Sequence, residues 1–210
     1  MPAQPINWNI ILSGAWNLAI LTPNGISKRL FELPAGTPIE VQIAIDQPGQ
    51  YRVSHEGVIV APSSGHLELS VQINDLASLE KASQIGRKVL QALPETPVAA
   101  AGINFRYSLN PFPDELLDLL KTPIDDVYSD ENFTITDSST KRSLEILPGV
   151  INIEINQMKD GSGIVVMNFH FASSSHNDLE QWLSRTTEFF GIAQNILNAL
   201  KITVQQEELQ

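Results

Sequence analysis

Residues 150–171 read VINIEINQMKDGSGIVVMNFHF. Ile151, Ile153 and Ile155 alternate with Asn152, Glu154 and Asn156, and Val165, Met167, Phe169 and Phe171 alternate with Val166, Asn168 and His170. A period of two sends successive side chains to opposite faces of a strand. The glycine-bearing run 159–163 between the two segments reads as a hairpin turn. Directly downstream, Leu179, Trp182, Leu183, Thr186, Phe189, Phe190, Ala193, Ile196, Leu197 and Leu200 recur at helical spacing. The expectation is a hairpin with one apolar face, crossed by one long helix that opens at Asn177 in a capping-box spacing with Glu180 and closes near Leu200.

Upstream, the same grammar recurs. Leu67, Leu69, Val71 and Ile73 alternate with His66, Glu68, Ser70 and Gln72, and a helix over about 75–93 follows, with Asn74 or Ser78 as its N-cap and Leu79, Ala82, Ile85, Val89 and Leu93 as its apolar stripe. Gly86 sits mid-helix, where it permits a close approach. Ile103, Phe105, Tyr107 and Leu109 form one face of another strand, with Asn104, Arg106 and Ser108 on the other. Toward the N-terminus, strands are expected at 6–12, 15–21 and 26–33, the last two joined by the Pro23-Asn24-Gly25 turn. A half-buried strand is expected at Val41, Ile43 and Ile45, followed by a turn at Gln47-Pro48-Gly49. Short strands at 51–54, 58–61, 133–136 and 143–147 complete the list.

The fold class predicted is α+β: antiparallel sheets with two long helices covering one face. Three parts are expected: residues 1–110, β-rich with the helix at 75–93; 111–131, an acidic connector with one short helix opening at Pro113 and ending before Pro123; and 132–210, three to four strands and the long final helix. The helix ends Asn74-Asp75-Leu76 and Asn177-Asp178-Leu179 match, which makes an internal duplication one of the expectations. A helix-grip arrangement, with one curved sheet around the last helix, is the architectural alternative.

Composition narrows function. The chain has 210 residues, 42 % hydrophobic, no cysteine, and a net charge of −11. Thiol nucleophiles, cysteine-based zinc sites and disulfides are excluded. Residues 1–110 are close to neutral, whereas 111–210 hold six basic and sixteen acidic side chains. Phosphate backbones and anionic membranes attract lysine and arginine, so neither nucleic acid nor membrane is expected as a partner. The apolar run at 10–21 lacks a basic flank and is too short to span a bilayer, which takes ~20 apolar residues; a cytoplasmic location is expected.

None of the nucleophile-elbow, phosphate-loop, dinucleotide or zinc-helix motifs occurs in the sequence. No catalytic residue, metal ligand or cofactor is therefore assigned, and the reading leans away from an enzyme. His66, Glu68, Arg106, Glu154, Asn168 and His170 all fall on polar strand faces and together make the candidate ligand-binding set, since they supply acid–base groups. His176 is expected in solvent. The neutral, amide-rich strand faces suit a polar interface. The leading expectation is a non-catalytic binding or assembly protein, engaging a protein partner or further copies of itself through the polar sheet face or the acidic second half. The alternatives are a small-ligand protein or enzyme with a pocket between sheet and final helix, and an acidic mimic of nucleic acid.

Overall fold

The computed structural model describes residues 3–43 and 50–204. Ile45, the Gln47-Pro48-Gly49 turn and the tail 205–210 lie outside the described residues. The elements run β1 (Gln4–Pro5), β2 (Asn9–Gly14), α1 (Pro23–Arg29), β3 (Glu40–Ile43), β4 (Tyr51–His55), β5 (Val58–Pro62), β6 (His66–Val71), α2 (Leu76–Ala92) and β7 (Val98–Leu109). Then follow α3 (Asp114–Leu120), α4 (Pro123–Asp130), β8 (Ser138–Ile146), β9 (Gly149–Gln157), β10 (Gly163–Ala172), α5 (His176–Leu183) and α6 (Thr186–Ala199).

All the strands join one antiparallel sheet in the order β3-β4-β5-β6-β2-β7-β10-β9-β8, with β1 also on β7. The two halves therefore share a single sheet, fused where β2 pairs with β7 from Asn9↔Asn104 to Ser13↔Ala100. The fold is α+β, as expected. On each side of this seam the order is the same: the seam strand, then a strand leading into a helix (β6 into α2, β10 into α5), then the outer strands. Both helices that follow these strands are capped by a side chain at the N-terminus. Asp75 and Ser175 cap the N-termini of α2 and α5, accepting from the N–H of Ser78 and Asp178. The caps are thus not Asn74 and Asn177.

One sheet face is apolar and covered. Ile10, Leu12, Leu67, Leu69, Ile103, Phe105, Val165, Met167 and Phe169 are fully buried under Leu79, Val89, Leu179, Trp182, Phe189 and Leu197. The aromatic side chains interlock: Phe169 stacks on Phe189 at 4.8 Å, Trp182 lies 4.5 Å from Phe189, and Trp8 meets Phe105 edge-on at 5.1 Å. The space between the sheet and the last helices is filled by these rings. At Gly86, α2 passes close to α5 and the sheet: a Cβ there would lie 3.0 Å from Leu183 Cδ1 and 3.1 Å from Leu69 Cδ1. Ser83 Oγ donates to the Leu183 carbonyl across the same contact (2.7 Å).

Four local expectations are corrected. Residues 15–33 form a turn and α1 rather than two strands: Thr22 Oγ1 accepts from Gly25 N–H and Pro23 occupies the first turn, so the Pro-Asn-Gly run opens a helix instead of closing a hairpin. The connector holds two helices rather than one: α3 ends before Pro123 as expected, but Pro123 then opens α4. Residues 133–136 form no strand. The final helix is two helices, interrupted at Ser184 and then at Arg185, whose side chain is held by its neighbours. Its guanidinium binds both Glu188 carboxylate oxygens (2.8 and 2.7 Å), donates to the Leu147 carbonyl (2.9 Å) and stacks over Phe189 at 4.8 Å. It thereby ties the break to the β8–β9 turn.

Substituting Phe189 by Ala empties a site packed by Phe169, Trp182 and Arg185, with an expected loss of ~3–5 kcal/mol read as a lower urea midpoint. Lysine in place of Arg185 retains charge but loses the forked contact; a loss of about 1 kcal/mol is expected by the same measurement.

Candidate functional site

Among the described residues α2, α5 and α6 pack on the first sheet face; the second is mainly polar, mixing Asn, Ser, Glu, His and Arg with the half-buried Ile11, Ile59, Ile164 and Val166. Its centre is one cross-strand rank, Ser70–Asn9–Asn104–Asn168–Asn152–Ser143, built by register on β6, β2, β7, β10, β9 and β8. The rank is hydrogen-bonded in one direction. Ser143 Oγ donates to Asn152 Oδ1 (2.7 Å), Asn152 Nδ2 to Asn168 Oδ1 (3.3 Å), and Asn168 Nδ2 to Asn104 Oδ1 (2.8 Å). Asn104 Nδ2 then donates to Asn9 Oδ1 (2.8 Å), and Asn9 Nδ2 to Glu68 Oε1 (2.7 Å), which Ser70 Oγ also reaches (2.9 Å). Every amide dipole points toward the carboxylate at the end. Aligned donors polarise one another, and an ionised acceptor strengthens the last bond. This is why Asn9 and Asn104 tolerate burial to 6 % and 7 % exposure: each is satisfied by its neighbours.

The six candidate residues occupy this face but not one site. Glu68 and Asn168 belong to the ladder. His66 is held at the strand start by Ser63 Oγ (2.9 Å from Nδ1). Glu154 pairs with Lys141 (3.0 Å) and accepts from Asn156 (3.0 Å); the Lys141 contact, chiefly, holds its carboxyl below the usual range. Arg106 lies opposite Val166, and its carbonyl accepts the Trp8 indole N–H (3.0 Å). His170 shares a rank with Gly102, Ile11 and Glu68, which at one strand spacing per step separates it from Glu68 by about 14 Å. Proximity chemistry between them has no geometric basis. His176 is half-buried rather than in solvent, and its Nε2 is shielded without a partner.

Sequence reasoning recognised the amide-rich faces but not that the amides bond each other. That depends on pairing strands as distant as β2 and β9, and the one signal was neutral Asn at matching strand positions.

Two other features carry chemistry. A groove of about 520 Å³ at the far end of β8–β10 is lined by Leu144, Leu147, Val150, His170 and Phe171. The connector holds the second. Leu116 is buried and anchors α3, but α4 buries nothing. Leu119, Ile124, Val127, Tyr128, Phe133 and Ile135 are exposed, at 43–67 % of their surface, among eight carboxylates and one lysine in residues 114–137.

Among the described residues no cluster of three or more His, Asp or Glu is placed to hold a metal ion, and no helix is long and apolar enough to cross a membrane. No protein-family model matches the chain, and no curated protein matches it in sequence.

Replacing Asn104 by Ala strands Asn9 Oδ1 and Asn168 Nδ2 together, with an expected cost of ~1–3 kcal/mol in urea unfolding; Ser143→Ala, at the exposed donor end, is expected within ~0.5 kcal/mol of wild type. Lys141→Met should raise the titration midpoint of Glu154 toward that of an ordinary glutamate, seen by carboxyl-detected NMR. The depressed carboxyl stabilises the fold above its unfolded titration point, and that contribution fades as pH falls through the folded value. In Lys141→Met this acid-side dependence is expected to shrink.

Proposed function

We propose that this is a non-catalytic binding protein whose contact surface is the acidic connector, and that its partner is a protein segment both basic and apolar. The observation that carries this reading is the unpartnered apolar face of α4. Ile124, Val127 and Tyr128 fall at i, i+3 and i+4, on one side of an eight-residue helix that buries no residue. Helices this short draw their stability from packing that face. Here only local bonds support it: Asp125 accepts from the Thr122 N–H (2.8 Å), and Lys121 pairs with Asp126 (2.7 Å).

A partner covering the stripe would remove apolar surface from water at about 25 cal/mol per Å². The surrounding carboxylates would steer and select it by charge. The apolar side chains set this surface apart from a phosphate mimic, which needs charge alone. In this reading the rigid amide-laddered sheet is the scaffold that holds α3 by Phe112 and Leu116.

Affinity purification from the native host, comparing wild type with Val127→Asp, tests it. The expected result is a set of partners that the wild type retains and the variant loses. Asp125→Asn with Asp126→Asn is expected to weaken the same partners and to flatten their salt dependence. Identical partners on all three proteins would overturn the reading.

A second reading is favoured by the groove beside His170, whose size falls within that of small-ligand sites. A ligand there would shift the His170 ring signals in NMR while leaving residues 114–137 unchanged.

A further inference from the structure

We propose that two copies of this chain join edge to edge through β8, extending the sheet across a two-fold axis at Ser143. Independently of the connector, the two halves differ at their outer edges. β4 and β8 are equivalent strands: each precedes a two-residue turn, Glu56-Gly57 or Leu147-Pro148, and returns as β5 or β9. β4 is covered on its outer edge by β3. β8, nine residues long, ends the sheet with no strand paired to its outer edge among the described residues. A long uncovered edge is a template for another strand.

The backbone polarity of that edge follows from the turn. Ile146 and Gly149 close the two-residue hairpin, and closing residues exchange both their N–H and C=O groups. The groups of Thr140, Arg142 and Leu144 therefore face β9, and those of Ser139, Lys141, Ser143 and Glu145 face outward. The outward carbonyl of Lys141 accepts from the Arg142 guanidinium (2.7 Å), a surface cap that an incoming strand would displace.

The occupant is decided by charge. Antiparallel pairing centred on Ser143 sets Lys141 opposite Glu145 of the second copy, and Glu145 opposite its Lys141. Both lie on the same sheet face, and every outward group meets an outward group. Centring on Arg142 instead places that residue against itself, and like charges directly opposed are unfavourable. Leu144 and Ile146 fall opposite Arg142 and Thr140, whose stems can cover them. Pairing β8 with the β3 edge of another copy would propagate without limit, whereas β8 with β8 closes as an isologous dimer.

Sedimentation equilibrium over a range of concentrations reads the result directly. Wild type is expected to dimerise. Ser143→Pro removes the outward N–H and, with the hydroxyl, the bond to Asn152; Ser143→Ala removes the hydroxyl alone and is the control, so the dimer should be lost in Ser143→Pro and kept in Ser143→Ala, with the urea midpoints of both close to wild type. Glu145→Lys opposes lysines at both ends of the pairing and should weaken the dimer on the order of tenfold; adding Lys141→Glu should restore it. A wild type that stays monomeric throughout, or a dimer that persists in Ser143→Pro and is indifferent to Glu145→Lys, overturns the proposal. Since none of these changes touches residues 114–137, partner capture through the connector would be unaffected by that failure.

Discussion

The pairing of β2 with β7 is the contact on which the rest of the structure depends. It joins strands some ninety positions apart, which is an expensive loop to close, and it is made at the centre of the molecule. Once Ile10 lies opposite Ile103, β6 and β10 flank the pair, and the helices that follow them arrive on one face. There α2 meets α5 at Gly86 and Ser83. Neither half could bury its apolar strand face alone: β7 and β10 are roofed by α5 and α6, and β2 and β6 by α2, with the contact between helices bridging the seam.

Burying one face leaves the other polar, and a wide sheet cannot leave so many polar side chains unpaired at its middle. The ladder from Ser143 to Glu68 resolves this constraint. It also fixes register, because sliding any one of its strands by a residue would exchange an amide for a core side chain. Gly102 contributes by absence: a Cβ there would lie 3.0 Å from the Asn168 amide nitrogen. The polar face is thus as specified as the apolar one, although it stabilises far less. A scaffold ordered on both faces can carry its exposed features, the connector and the β8 edge, without deforming.

Those two features have opposite character. The connector combines apolar surface with dense negative charge and holds to the core through Phe112 and Leu116. The β8 edge offers unpaired backbone groups with charges of both signs at complementary spacing. A foreign basic partner is proposed for the first and a second copy of the chain for the second, and they involve different residues.

Local periodicity alone determined α2, the β9–β10 hairpin, the buried stripe from Leu179 to Leu197 and the division between polar and apolar strand faces, because alternation and helical spacing are written in consecutive residues. It misjudged residues 15–33 and 133–136, where apolar runs are too short to separate strand from helix or coil, so that the Thr22 cap and Pro23 prevailed over the turn signal. The break at Ser184 and Arg185 was hidden because the stripe continues unbroken across it; only the β8–β9 turn, brought alongside, supplies the Leu147 carbonyl that Arg185 binds. The amide ladder, the separation of His66, Glu68 and His170, and the single shared sheet were decided by tertiary structure, since each depends on which strands become neighbours, and that choice was made by burial of the whole apolar face rather than by any local pattern.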